Sequence, residues 1–168
     1  MIADPVTGDP VPVDTVGELC ARGYVLMHGY FDDPQATAAA IDANGWYHIG
    51  DLPLMSAGGY LRVAGRLTDM IIRGGENIYS KEIEDLLHTH PAVAEVAVVG
   101  KPDPIWGETV AAFVRPAIGA TVTDGELHAY CRQHLAAYKT PATWIFVDAF
   151  PLTASGKVRK NILRERLT

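Results

Sequence analysis

Apolar and polar positions follow different rules in the two parts of this chain. Through residue 64 the apolar residues come in short runs broken by turn residues such as Thr7-Gly8-Asp9-Pro10. Strands are predicted over 17–23 and from Tyr24 to Met27. Asp33-Pro34 predicts a short helix through Ala36 to Ile41, with Pro34 in the first turn, where its missing N–H costs nothing. Asn44-Gly45 is a turn, Trp46-Tyr47-His48-Ile49 is β-prone, and Gly58-Gly59 precedes a strand from Tyr60 to Val63. No apolar set here is large enough for a core of its own, so these residues read as a piece of a larger β-rich domain.

The pattern changes after Arg66. Met70-Ile71-Ile72 and Asn77-Ile78-Tyr79 flank Gly74-Gly75 and predict a hairpin or tight loop. Ser80 is placed to cap a helix whose Ile83, Leu86 and Leu87 share one face, and Pro91 ends it. Apolar strands are predicted from Val93 to Val99, Val110 to Val114 and Trp144 to Val147. Thr123-Asp124-Gly125-Glu126 has the spacing of a capping box, before a helix patterned by Leu127, Tyr130, Cys131, His134 and Leu135. A last helix is expected from Asn161 to Leu167. The fold class is therefore α+β: a three-stranded sheet with helices and a β-hairpin over residues 67–168, preceded by a β-rich segment over 1–66.

Composition narrows the function only slightly. The 168 residues are 48% hydrophobic and 20% charged, as in ordinary globular proteins. A net charge of −6 argues against a nucleic-acid partner, which requires clustered cations. Cys20 and Cys131 do not make a disulfide framework and fit a reducing cytoplasm, the expected compartment. No apolar run approaches a membrane span, and no signal peptide is read at the N-terminus.

Chemistry suggests itself first at Pro151-Leu152-Thr153-Ala154-Ser155-Gly156-Lys157, because Gly-Lys in a polar loop often handles phosphate. The nucleotide P-loop pattern fails at both ends: Pro151 stands where a glycine is needed and Val158 where a hydroxyl is needed. On this loop alone, a surface lysine in a Gly-Ser turn is the simpler reading. His88 and His90 have no third ligand nearby, so no metal site is assigned. Ser155 lacks the G-x-S-x-G surround of a hydrolase nucleophile, and Gly74-Gly75 lacks dinucleotide-site spacing.

Five blocks in order change the picture. Gly45 to Leu52 resembles the G-W-[FY]-x-[ST]-G-D motif of the adenylate-forming enzymes, and Gly65 to Ile78 resembles their hinge motif. Tyr138-Lys139-Thr140-Pro141 and Pro151 to Lys157 are similar to two later family segments, and Gly17 to Phe31 to an earlier one. Gly74 to Tyr79 and Trp106-Gly107-Glu108 resemble the fatty-acyl and aryl acyl-CoA synthetase branch.

That resemblance implies a ligase that joins a carboxylic acid to ATP as an acyl-adenylate, then transfers the acyl group to coenzyme A. It implies that Asp51 holds the ribose hydroxyls and that Arg66 reaches the ribose or phosphate. Lys157 would be catalytic, bridging the substrate carboxylate and the α-phosphate. At about 4 Å and an effective dielectric near 20, each such contact is worth on the order of 4 kcal/mol before desolvation. Thr68 and Asp69 fall at the hinge of a mobile C-terminal domain, Thr68 where the family usually has Asp or Lys. Gly74 and Gly75 would let the pantetheine pass close to backbone, and Trp106 and Tyr138 would stack on the coenzyme A adenine. His48 and Ile49 depart from the family pattern before Gly50-Asp51.

The family's phosphate loop and acyl pocket are not among these residues. The expected partner is accordingly a large N-terminal domain, which would also hold the Mg2+ that accompanies ATP, and the fragment alone is expected to be inactive. A stand-alone binding or regulatory module of the same fold, or part of a nonribosomal adenylation domain, are the alternatives. The sequence leaves self-association open.

Overall fold

The computed structural model describes residues 1–167 and divides into two compact units, Met1–Thr68 and a second beginning at Asp69. The division falls two residues beyond the expected boundary at 66/67.

The first unit contains β1 (Ile2–Ala3), β2 (Glu18–Ala21), α1 (Pro34–Ala40), β3 (Tyr47–His48), β4 (Asp51–Met55) and β5 (Leu61–Arg66). β1, β2 and β3 form one antiparallel sheet, and β4 and β5 pair separately. Helix α1 starts as the sequence requires: the Asp33 carboxylate accepts the Ala36 N–H at 2.8 Å, ahead of Pro34. The strand expected from Tyr24 to Met27 does not form. Leu26 N–H instead closes a turn on the Gly23 carbonyl, Tyr24 is fully exposed, and no neighbouring strand satisfies the segment's backbone. Ile2, Ala3, Cys20 and Leu52 are the buried hydrophobic residues of this unit, a thin core.

The second unit runs β6 (Met70–Arg73), β7 (Glu76–Tyr79), α2 (Ser80–His88), β8 (Val93–Asp103), β9 (Gly107–Pro116), α3 (Asp124–His134), β10 (Thr143–Phe146) and α4 (Lys160–Glu165). The expected hairpin and the three-stranded sheet merge into five strands, because β6 meets β9 at Arg73 and Gly107. β8 and β9 form the long antiparallel ladder, and β10 lies parallel to β9. The near-continuous apolar runs of β8 and β9 follow from burial on both faces. Val96, Val98, Val110, Ala112 and Val114 pack with Ile83, Leu87, Leu127 and Cys131 of α2 and α3. The alternate residues Ala97, Val99, Ala111 and Phe113 pack on Phe150 and Leu163.

One predicted cap is corrected. Ser80 is the first residue of α2 and not its cap; Tyr79 precedes the helix without a side-chain bond, and the buried Ser80 hydroxyl accepts Lys160 Nζ at 3.1 Å. The capping box at α3 forms in full: Thr123 Oγ1 accepts the Glu126 N–H at 3.2 Å, and Glu126 Oε2 accepts the Thr123 N–H at 2.8 Å.

Candidate functional site

The residues singled out in the sequence fall into one group in the first unit, two in the second and one at the division between the units. In the first unit, Gly50 turns the chain at φ +77° and delivers Asp51 to the start of β4, directly opposite Arg66 at the end of β5. Arg66 Nε donates to Asp51 Oδ1 at 3.1 Å. Asp51 is partly buried and Arg66 largely exposed, so the carboxylate is oriented by one cation while solvent reaches both. A carboxylate held in this way keeps acceptor capacity for a diol.

In the second unit a cleft of about 510 Å³ is lined by Arg73, Gly74, Glu76, Trp106, Ala137 and Tyr138. Three of the expected site residues meet there, and the cause is backbone geometry. The Gly74 N–H donates to the Trp106 carbonyl at 2.8 Å, and Gly74 has φ +58°. A Cβ on Gly74 would sit 2.9 Å from the Trp106 ring, so the close approach needs glycine. Gly75, at φ +87°, faces open space instead. The turn carrying Trp106 is tied by Asp103, whose Oδ1 accepts the N–H groups of Ile105 and Trp106 at 2.9 Å each. Those bonds, Trp106 first, hold the Asp103 carboxyl below its ordinary range. On the other side, Ile72 N–H donates to Glu108 Oε2 at 2.9 Å.

Sequence reasoning missed Arg73, which joins the two aromatic walls. Its guanidinium lies 5.3 Å from the Trp106 ring centroid, and its Nη1 donates to the Tyr138 carbonyl at 2.9 Å. Arg73 Nε is buried with no hydrogen-bond partner among the described residues. Trp106 and Tyr138 are 49% and 37% exposed and belong to neither core cluster.

Lys157 stands on an exposed turn closed by the Leu152–Val158 bridge. Thr153 accepts the Lys157 N–H on its hydroxyl at 3.0 Å, and Gly156 takes φ +81°. Among the described residues the Lys157 ammonium has no ion-pair partner.

Thr68 and Asp69 lie in a 3-10 turn, Leu67–Asp69, that runs across the division between units. Asp69 is anchored in the second unit: Oδ1 meets Arg164 Nη2 at 2.7 Å and Oδ2 meets Lys160 Nζ at 3.8 Å. Lys160 also pairs with Glu84 at 2.7 Å, and Glu84 Oε1 accepts the Val98 N–H at 2.7 Å. No local signal could have found this network, since Asp69 and Arg164 are 95 residues apart. A further cluster that the sequence reading did not assemble, Glu18, Cys20 and His48, lies in the β1–β2–β3 sheet.

Residues 82–157 match the AMP-binding enzyme C-terminal domain family. The Bacillus subtilis protein YngI is 50% identical over 165 residues, 98% of this chain and 30% of its own length. The mitochondrial medium-chain acyl-CoA ligase of Bos taurus is 45% identical over 166 residues, 99% of this chain and 27% of its own. The crystal structure of ATP-bound MatB from Rhodopseudomonas palustris superimposes with a TM-score of 0.92 at 36% identity, covering 98% of this chain and 33% of that one. The chain belongs to the adenylate-forming superfamily and corresponds to the C-terminal region of its acyl-CoA synthetases. It spans about a third or less of the length of these relatives. Among the described residues no helix is long and apolar enough to cross a membrane.

Proposed function

We propose that these residues serve an ATP-dependent acyl-CoA synthetase. In the first half-reaction a carboxylate attacks the α-phosphate of ATP and releases pyrophosphate. In the second, the thiol of coenzyme A attacks the acyl carbonyl, loses its proton and expels AMP. A large N-terminal domain supplies the acyl pocket and holds the Mg2+ that accompanies ATP. Asp51, steered by Arg66, takes the ribose diol. Lys157 offsets the repulsion between the carboxylate and the α-phosphate.

The observation that carries this reading is the cleft, where Gly74, Trp106 and Tyr138 converge around Arg73. Two accessible aromatic faces beside a cation suit an adenine nucleotide with its phosphates. Thr68 is the pivot of the domain rotation in this reading, which is supported by the anchoring of Asp69 to Lys160 and Arg164, fixing the second unit's end of the Leu67–Asp69 turn.

Calorimetric titration of coenzyme A into the 168-residue chain tests the cleft. We expect binding that Trp106→Ala and Arg73→Ala each weaken; no binding by the folded chain would overturn the assignment. In a complete enzyme bearing these residues, Lys157→Ala is expected to slow adenylate formation by roughly 10²–10³, measured by ATP–pyrophosphate exchange. Unchanged exchange would remove Lys157 from the catalytic role.

A further inference from the structure

We propose that Glu18, Cys20 and His48 form a binding site for one divalent cation of the Zn2+ class, stapling β2 to β3.

Strand geometry puts the three donors together. Glu18 and Cys20 are two apart on β2, so their side chains leave the same face of the sheet. Cys20 stands in register with His48 on the antiparallel β3, which brings the imidazole to that face. His48 Nδ1 lies 2.8 Å from Glu18 Oε2 and 3.7 Å from Cys20 Sγ. All three donor atoms lie within 4.8 Å of one another.

Those separations suit a tetrahedral ion. Zn2+ holds sulfur at about 2.3 Å and nitrogen or carboxylate oxygen at about 2.0–2.2 Å, so its donors stand roughly 3.3–3.6 Å apart. The Sγ–Nδ1 distance is already close to this spacing, and the Nδ1–Oε2 contact has to open by roughly half an ångström. Glu18 and Cys20 are buried at 5% and 1% exposure, while the His48 side chain is about one-third exposed and leaves a way in. A water completes the fourth position.

The charges balance as well. Without metal, Glu18 Oε2 lies 2.8 Å from His48 Nδ1, and this hydrogen bond raises the His48 pKa. Burial and the Glu18 charge hold the Cys20 thiol up, so it carries its proton. On binding, the Cys20 thiol proton and any proton on His48 Nδ1 leave to solvent. A dication, one carboxylate, one thiolate and a neutral imidazole then sum to zero. His48 Nε2 keeps an N–H toward Asp42 Oδ2, 3.7 Å away. Asp42 is itself fixed by the Asn44 and Trp46 N–H groups on Oδ1, at 2.8 and 2.9 Å. An outer carboxylate on the second nitrogen is what a ligating histidine ordinarily has. The unit also has use for a staple: β3 is two residues long and the core beside it is thin.

The test titrates Co2+ into the reduced, chelator-treated 168-residue chain. One Co2+ per chain is expected, with a near-ultraviolet thiolate-to-metal charge-transfer band that Zn2+ abolishes by displacement. Cys20→Ser removes the band, and Cys131→Ser, which alters the only other thiol, leaves it unchanged. Asp42→Asn retains the band and weakens affinity by about 10–100-fold. Zn2+ raises the melting temperature of the wild-type chain and not of Cys20→Ser. No band in a chain whose circular dichroism reports a folded state, or a band that survives Cys20→Ser, overturns the site and leaves Glu18–His48–Asp42 as a metal-free ion-pair chain.

Discussion

The two units invest their apolar residues in opposite ways. The unit beginning at Asp69 buries both faces of its β8–β9 ladder, with α2 and α3 on one face and Phe150 and, from α4, Leu163 on the other. The Met1–Thr68 unit buries four small or medium apolar side chains and leaves Tyr24 and Phe31 fully exposed. A unit with two packed faces can hold a cleft and a lysine turn by its own rigidity. A unit with a thin core must hold Asp51 by local bonds, here one strand pair and one ion pair. The difference teaches that the same chain carries one unit with a two-faced core and one that leaves large aromatic side chains in solvent.

The strongest way to break that comparison is to cut the core of each unit. Phe113→Ala should cost about 3–5 kcal/mol, and Leu52→Ala, with fewer packed neighbours, about 2 kcal/mol. Hydrogen exchange followed unit by unit reads the two separately. Equal losses, or loss of protection in both units from either change, would mean that the contrast in packing carries no energetic contrast.

Raising the pH sharpens it next. Burial pushes the Cys131 thiol from about 9 up to about 11. The folded state favours the protonated thiol, so this stability is fully present below the unfolded pKa and is lost as pH rises toward 11. The loss amounts to about 2–3 kcal/mol, on the order of 1.4 kcal/mol per pH unit of the window. Cys131→Ala should flatten that alkaline limb in the second unit while the first unit is unaffected, as denaturant unfolding at pH 8 and pH 11 would report.

A smaller effect is expected at the start of the second unit. Asp69→Asn weakens the contacts to Arg164 and Lys160 and should cost about 1–2 kcal/mol, since these groups are partly solvated. The smallest contrast lies within the cleft. Gly75→Ala carries only the left-handed backbone penalty of about 1 kcal/mol. Gly74→Ala adds a clash with the Trp106 ring, and so should lose more stability and more coenzyme A affinity. Equal effects would mean that Trp106 yields and does not fix the cleft wall.

Much of the local structure was legible in the residues. Asp33-Pro34 announced α1, Thr123 and Glu126 announced α3, and Gly74-Gly75 announced the β6–β7 hairpin, because each signal acts over a few residues. Tyr24 to Met27 failed as a strand for the complementary reason: β-prone residues form a strand only where a neighbour pairs them. Ser80 had the chemistry of a cap, yet Lys160, 80 residues away, claimed its hydroxyl.

By itself, then, the sequence determined the α+β class, the turns and the ordered blocks that mark the adenylate-forming superfamily, because these depend on near-neighbour chemistry and residue identity. Tertiary structure alone decided that Arg73 ties Trp106 to Tyr138, that Asp69 is anchored on α4, and that Cys20 stands beside His48. Each of those contacts joins residues far apart in the chain. Which distant partners meet depends on strand register and on how both faces of the sheet are filled, and these are properties of the packed molecule.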